Sequence, residues 1–247
     1  MAQQFLMFTP TNDAPKEMAQ TRTLQAKQWC NVRNSLLAVG ADVIVPTIQE
    51  QSSICADAGI IVGDIFVASS ECYFLEWVEH KYKTAAIIGT EHVAFSGRDV
   101  IVGGENLFLG FGFETILDGK FALDLILEDT DLIVRPLELA DPVFSTLDTC
   151  LCILSRGHAI YYPPAFTEHS KYVLEQMFGD NLISISDADA YALVCNSICV
   201  GQSFLTSKIS AALSKKLQKL GYNILQHDVS EFLKFGASCK ALTIKVN

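Results

Sequence analysis

The chain lacks several signatures that would place it at once. Among its 247 residues no apolar run reaches the roughly 18 residues that mark a membrane-spanning helix, so none is expected. Basic side chains are in the minority: 18 Lys and Arg against 28 Asp and Glu leave a net charge of −10. That balance argues against a nucleic-acid interface and against docking on anionic membranes. Charged residues are scarce, at 19%, and mean hydropathy is +0.28, which excludes a disordered chain. No Cys-x-x-Cys pair has metal-site partners. The eight cysteines, Cys30, Cys55, Cys72, Cys150, Cys152, Cys195, Cys199 and Cys239, are spread out. So are the five histidines, His80, His92, His158, His169 and His227, and a zinc-finger reading fails. Most of the cysteines lie in apolar runs such as Ala192-Leu-Val-Cys-Asn-Ser-Ile-Cys-Val200, where a thiol behaves as a small hydrophobe. No Pro/Gly/Ser-rich linker divides the sequence, and Met1-Ala-Gln-Gln lacks the basic start of a secretory signal. The expectation is a reduced, cytoplasmic, single-domain protein over residues 1–247, with no cofactor and no metal.

What is present is a repeat. An Asp or Asn, an apolar strand, a turn and a second apolar strand recur from Asp57, Asp99, Asp148 and Asn196. A half copy, Lys240-Ala-Leu-Thr-Ile-Lys-Val246, ends the series, and the steps are 42, 49, 48 and 44 residues. A constant step of this size marks one supersecondary unit repeated. Gly103-Gly104 and Gly110-Phe-Gly112 read as hairpin turns and not as a dinucleotide fingerprint, because no helix opens after them. Helical spacing appears between hairpins: Trp29, Val32 and Leu36 before Gly40, the Phe166–Phe178 stretch before Gly179, and Ile209, Leu213, Leu217 and Leu220 before Gly221. Ala41–Pro46 and Tyr222–Leu225 read as the strands that follow. The pattern predicts an α/β protein of about five ββαβ units with pseudo-symmetry about a centre.

In such a ring the first residue of each unit's strand would face the common axis. The repeated Asp and Asn would then form a polar site in an apolar wall. The plainer reading is that they begin strands and cap turns. Phe108, Phe111, Phe113 and Phe121 are expected in the core.

Specific motifs carry the reading further. Phe144-Ser-Thr-Leu-Asp-Thr-Cys150 and the residues on to Phe166 resemble the His-Leu-Asp-Thr region of guanidino-group-modifying enzymes. These are the dimethylarginine dimethylaminohydrolases, arginine deiminases and amidinotransferases. Glu231-Phe-Leu-Lys-Phe-Gly-Ala-Ser-Cys-Lys-Ala-Leu-Thr243 resembles their C-terminal Gly-Gly-Ser-x-Lys-Cys-Leu-Thr motif. Phe95-Ser-Gly-Arg-Asp99 is similar to their Phe-Glu-Gly-x-Asp segment, Ile54-Cys-Ala-Asp-Ala-Gly59 to their Phe-Thr-Ala-Asn-Ala-Gly, and Phe5-Leu-Met-Phe-Thr-Pro10 to their opening strand. The resemblance runs in order along nearly the whole chain. It implies the pentein fold, a five-bladed α/β propeller.

The chemistry of that family needs a Cys thiolate to attack the guanidinium carbon, a His to protonate the leaving amine, and carboxylates to hold the planar cation. By the resemblance, Ala241 stands at the nucleophile, Thr146 at the His and Ser96 at its acidic partner. Glu114, in Gly110-Phe-Gly-Phe-Glu-Thr115, takes a place where the family has Arg. Asp57, Asp99 and Asp148 persist, and Asp57 and Asp148 resemble the guanidinium clamp. The implied protein is a catalytically degenerate member with no intact catalytic residue. It would keep a pocket for a small cationic or guanidino ligand at Asp57, Asp99 and Asp148, or act through protein interaction. The alternative is an active amidinohydrolase with a relocated nucleophile, Cys239, or Cys150 and Cys152 beside the degenerate His motif. Asp57 and Asp148 also admit the bland role of turn caps. Trp77 is expected on a helix in place of the family's substrate loop, where, if exposed, it would anchor a partner. The resemblance further implies a homo-oligomer.

Overall fold

The computed structural model describes residues 2–10, 19–46, 54–69, 77–78, 80–86 and 95–246. Cys72 and His92 lie outside them, as does most of the stretch around Trp77. Among the described residues, fifteen strands form four sheets that divide into five three-stranded groups. In the third group, β6 (Val100–Gly103) pairs antiparallel with β7 (Asn106–Phe111), and β7 runs parallel to β8 (Ile133–Glu138). The fourth repeats this with β9 (Leu151–Ile153), β10 (Ala159–Tyr161) and β11 (Leu182–Ser184). The fifth uses β12 (Ile198–Val200), β13 (Ser203–Thr206) and β14 (Asn223–Gln226). In the second, β3 (Gly59–Val62) and β4 (Ile65–Ala68) form the hairpin and β5 (Lys83–Ala86) the parallel strand. The first joins the two ends of the described chain: β15 (Ile244–Val246) pairs antiparallel with β1 (Gln4–Leu6), which runs parallel to β2 (Asp42–Ile44). One register pair, Val246 with Ile61, merges the first two groups into a six-stranded sheet.

A parallel partner requires a crossover. In four of the five groups a helix supplies it: Ala19–Ala38, Asp118–Ile126, Glu168–Phe178 and Ala211–Lys219; the crossover from β4 to β5 lies mostly outside the described residues. Thr167 and Ser210 start the last two: their side-chain oxygens accept the N–H of Ser170 and of Leu213. The helix and strand expectations around Gly40, Gly179 and Gly221 therefore match the observed elements within a few residues. The α/β class matches as well, and the ββαβ order is seen in the groups whose crossover is described. No helix among the described residues is long and apolar enough to cross a membrane.

Three expectations are corrected. The acidic residues do not begin strands. Asp57 lies in the helical turn Cys55–Ala58, Asp99 in Gly97–Asp99 and Asp148 in Leu147–Cys150, each turn leading into a strand. A turn directs its side chains and its free N–H groups at the neighbouring turn, which a strand start does not. Gly110 is not in a hairpin turn but inside β7, where a Cβ would sit 2.7 Å from Leu147 Cβ and 2.9 Å from the Asp99 carboxylate. Of the four phenylalanines only Phe108 is in the core; Phe111 is half-buried, and Phe113 and Phe121 are exposed on the surface around the helix Asp118–Ile126.

Candidate functional site

The turns ahead of the strands meet one another. Asp99 Oδ1 accepts the backbone N–H of Leu147 at 2.8 Å, tying the third unit to the fourth. Asn196 Nδ2 donates to the Asp148 carbonyl at 3.5 Å, tying the fifth unit to the fourth. Asn196 Oδ1 accepts from the N–H of Ser238 at 2.8 Å and of Ala241 at 3.1 Å, and its carbonyl accepts from Lys240 N. The turn Lys240–Leu242 packs on Cys55–Ala58, which packs on Gly97–Asp99. That last approach is so close that a Cβ on Gly97 would lie 2.3 Å from the Ala56 carbonyl oxygen, so only glycine fits.

Asp148, like Asp99, is fully buried in this centre. Arg98 Nε donates to both its oxygens, at 3.3 and 3.2 Å. Thr146 Oγ1 donates to Oδ1 at 2.9 Å, and Lys240 Nζ lies 3.5 Å from Oδ2. The far end of Arg98 is also held: Nη2 donates to the Gly236 carbonyl at 2.6 Å. Asp57 Oδ1 is 3.8 Å from Arg98 Nε. Burial opposes the charge on Asp148, but the Arg98 and Lys240 cations outweigh it and hold the carboxyl below its usual range. Burial likewise opposes the Arg98 charge, and Asp148 with Asp57 holds the guanidinium above its usual range. Asp99 differs. Burial pushes it up to about 7, although Thr115 Oγ1 donates to Oδ2 at 2.7 Å and Leu147 N donates to the other oxygen.

A cavity of about 560 Å³ opens beside this cluster. Asp57, Ser96, Arg98, Glu114, Thr146 and Thr149 line its polar side, and Phe95, Val143 and Phe235 its apolar side. Ser96 sits at the cavity wall and caps the turn that carries Arg98, accepting the Arg98 N–H at 3.2 Å. Asp148, Asp99, Ala241 and Cys239 are fully buried and do not line the cavity. Cys239 does not lie on a strand; it precedes the helical turn Lys240–Leu242 and is fully buried. Burial pushes its thiol up to about 12 and raises Cys150 and Cys152 as well. A thiolate at neutral pH is not available from any of them. No His, Cys, Asp and Glu cluster among the described residues is arranged to hold a metal ion.

Sequence reasoning brought Asp57, Asp148, Ser96 and Thr146 to this place but overlooked Arg98, which it passed over as the variable residue of Phe95-Ser-Gly-Arg-Asp99. An arginine between a glycine and an aspartate, ahead of an apolar strand, was the available signal. Lys240 and Thr115 were also missed, because their partners lie far away in the chain.

Comparison with known proteins decides the family. The chain is 34% identical to the bifunctional arginine dihydrolase/ornithine cyclodeaminase AgrE of Nostoc sp. over 203 residues, which is 77% of this chain. It is 28% identical to the dimethylarginine dimethylaminohydrolase of Mycobacterium tuberculosis over 89% of this chain and 75% of that protein. The chain belongs to the guanidino-group-modifying superfamily. No family model matches it. It spans 28% of the length of AgrE and of its Synechocystis sp. counterpart ArgZ. The N-terminal domain of ArgZ, an arginine dihydrolase bound to product, superposes with a TM-score of 0.89 at 26% identity, covering 100% of this chain and 98% of that one. An AgrE variant with alanine in place of a cysteine, in binary complex with L-arginine, gives 0.85 at 29% identity and covers 99% of this chain and 40% of that one. A dimethylarginine dimethylaminohydrolase adduct superposes at 0.80 with 17% identity, which shows the pentein-like fold alone. Within the superfamily the motif correspondences given above set the expected roles; the distances here are those of this chain.

Proposed function

We propose that the chain is a catalytically silent member of the superfamily, with Ala241, Thr146 and Ser96 standing where its enzymes need Cys, His and Glu. One observation carries the reading. Among the described residues, the wall of the 560 Å³ cavity holds Ser96, Thr146, Glu114 and Arg98 but neither a cysteine nor a histidine. A cavity without a thiol or an imidazole lacks the thiolate that attacks a guanidinium carbon and the acid–base group that would activate a hydroxyl or protonate a leaving amine. Loss of a nucleophile alone lowers turnover by on the order of a million-fold. Relocated chemistry at Cys239 is disfavoured by the burial that holds its thiol protonated. The same reading takes residues 1–247 as one domain of five blades about a common centre, supported by the run of contacts from turn to turn. It leaves the cavity, rimmed by Asp57 and Glu114, as the place for a small cationic ligand without a carboxylate, which Glu114 would repel.

The test is an end-point assay of the purified chain with L-arginine, methylated arginines and agmatine, reading ammonia, methylamines and ureido products. No product above buffer is expected. Product that disappears in Cys239→Ser would overturn the reading in favour of a moved nucleophile; product that persists would overturn it outright.

A further inference from the structure

The carboxylate site at the back of the cavity already contains a guanidinium, and it belongs to the chain. We propose that Arg98 is a built-in occupant that closes the site formed by Asp148, Asp57 and the Gly236 carbonyl to free guanidino compounds. Its Nε faces both Asp148 oxygens, at 3.3 and 3.2 Å, and its Nη2 ends on Gly236 O at 2.6 Å. Such matching of a planar cation to a carboxylate is the chemistry by which a protein recognises a guanidino ligand. The side chain is about one-tenth exposed and forms part of the cavity wall, so solvent lies on its other side.

The backbone on each side of Arg98 is pinned. Ser96 takes the N–H of Arg98, Gly97 allows the contact with Ala56, and Asp99 is anchored to Leu147. The tether therefore spares the guanidinium the translational and rotational cost that a free ligand pays. A tethered group also competes at a high effective concentration, in the millimolar range or above, and so weakens a free ligand that needs the same carboxylate. Beyond the loss of turnover, the unaltered site takes up a free guanidino group far more weakly than the same site without Arg98.

Ethylguanidine matches, atom for atom beyond Cβ, what Arg98→Ala removes. Calorimetry of the unaltered chain and of R98A with ethylguanidine, and with ethylammonium as control, tests the proposal. Binding to R98A at least about tenfold tighter than to the unaltered chain, selective over ethylammonium and lost again on adding Asp148→Asn, is the expected result. Equal affinity for the two chains, or no binding to folded R98A, would overturn it. Should R98A not fold in buffer, it is refolded in ethylguanidine or in ethylammonium at matched ionic strength. Recovery in ethylguanidine alone upholds the proposal; recovery in both or in neither overturns it. Turnover is assayed separately on the unaltered chain, so either reading can fail without the other.

Discussion

Asp148 and Asn196 hold equivalent places in consecutive units, yet they are satisfied in different ways. Asp148 is a buried charge held by Arg98, Lys240 and Thr146, and the cavity lies on the far side of Arg98. Asn196 is a buried neutral amide whose oxygen takes two backbone N–H groups, from Ser238 and Ala241. The first arrangement is electrostatic and faces a space open to solvent. The second is a neutral seal that closes the backbone of the last turn, with Cys239 and Ala241 packed behind it. A neutral seal can be tight without depending on pH. A buried ion cluster cannot, because each charge is stable only while its partners stay charged.

The largest break in this comparison should come from Asp148→Asn. It leaves the Arg98 guanidinium buried without its main partner, and removing one member of a buried pair costs about 3–5 kcal/mol. Urea denaturation would show it as a lower midpoint with an unchanged slope. Asn196→Ala comes next. It orphans two buried N–H groups, at about 1–3 kcal/mol for a group left unpaired, but its loss should not vary with pH, whereas that of Asp148→Asn should shrink as pH falls below the ordinary carboxylate range. Equal pH responses would erase the distinction between the two corners.

Asp99 sharpens the contrast through pH. Its native value of about 7 lies above its ordinary 3.8, so between these limits the folded chain binds the proton more tightly than the unfolded one. Its contribution is present below the lower limit and is lost as pH rises to about 7. Relative to Asp99→Asn, the unaltered chain should therefore lose on the order of 1.4 kcal/mol per pH unit across that window. A flat difference would remove Asp99 as a titrating group. The smallest effect is expected at Cys239→Ala: about 1 kcal/mol or a little more from a small buried cavity. Mass spectrometry of the unaltered chain after brief alkylation should find the exposed Cys30 modified and Cys239 untouched.

Much of the fold was legible because its signals are local. The helical spacing of Leu213 and Leu217 and the caps around it are properties of neighbouring residues, and the helix Ala211–Lys219 forms where they place it. The exposed Phe113 and Phe121 were misjudged because hydrophobicity alone does not say which face of the third unit meets a neighbour. Asp57 and Asp148 were legible as a pair only through the motif resemblance. Their third member, Arg98, was not, since nothing in a string of residues says which cation will reach a given carboxylate.

The sequence by itself determined the recurring hairpins with helices between them, an acidic or amide residue ahead of each hairpin of the middle four, and the presence of Ala241, Thr146 and Ser96 in the motifs that resemble the superfamily's. Those follow from periodicity, turn residues and side-chain chemistry, each readable within a few positions. Tertiary structure alone decided that the Asp148 carboxylate is filled by a residue 50 positions away and that the Cys239 thiol is sealed from the cavity. The reason is that ion pairing and burial depend on which turns meet at the centre, and that meeting is a property of the assembled units and not of any one of them.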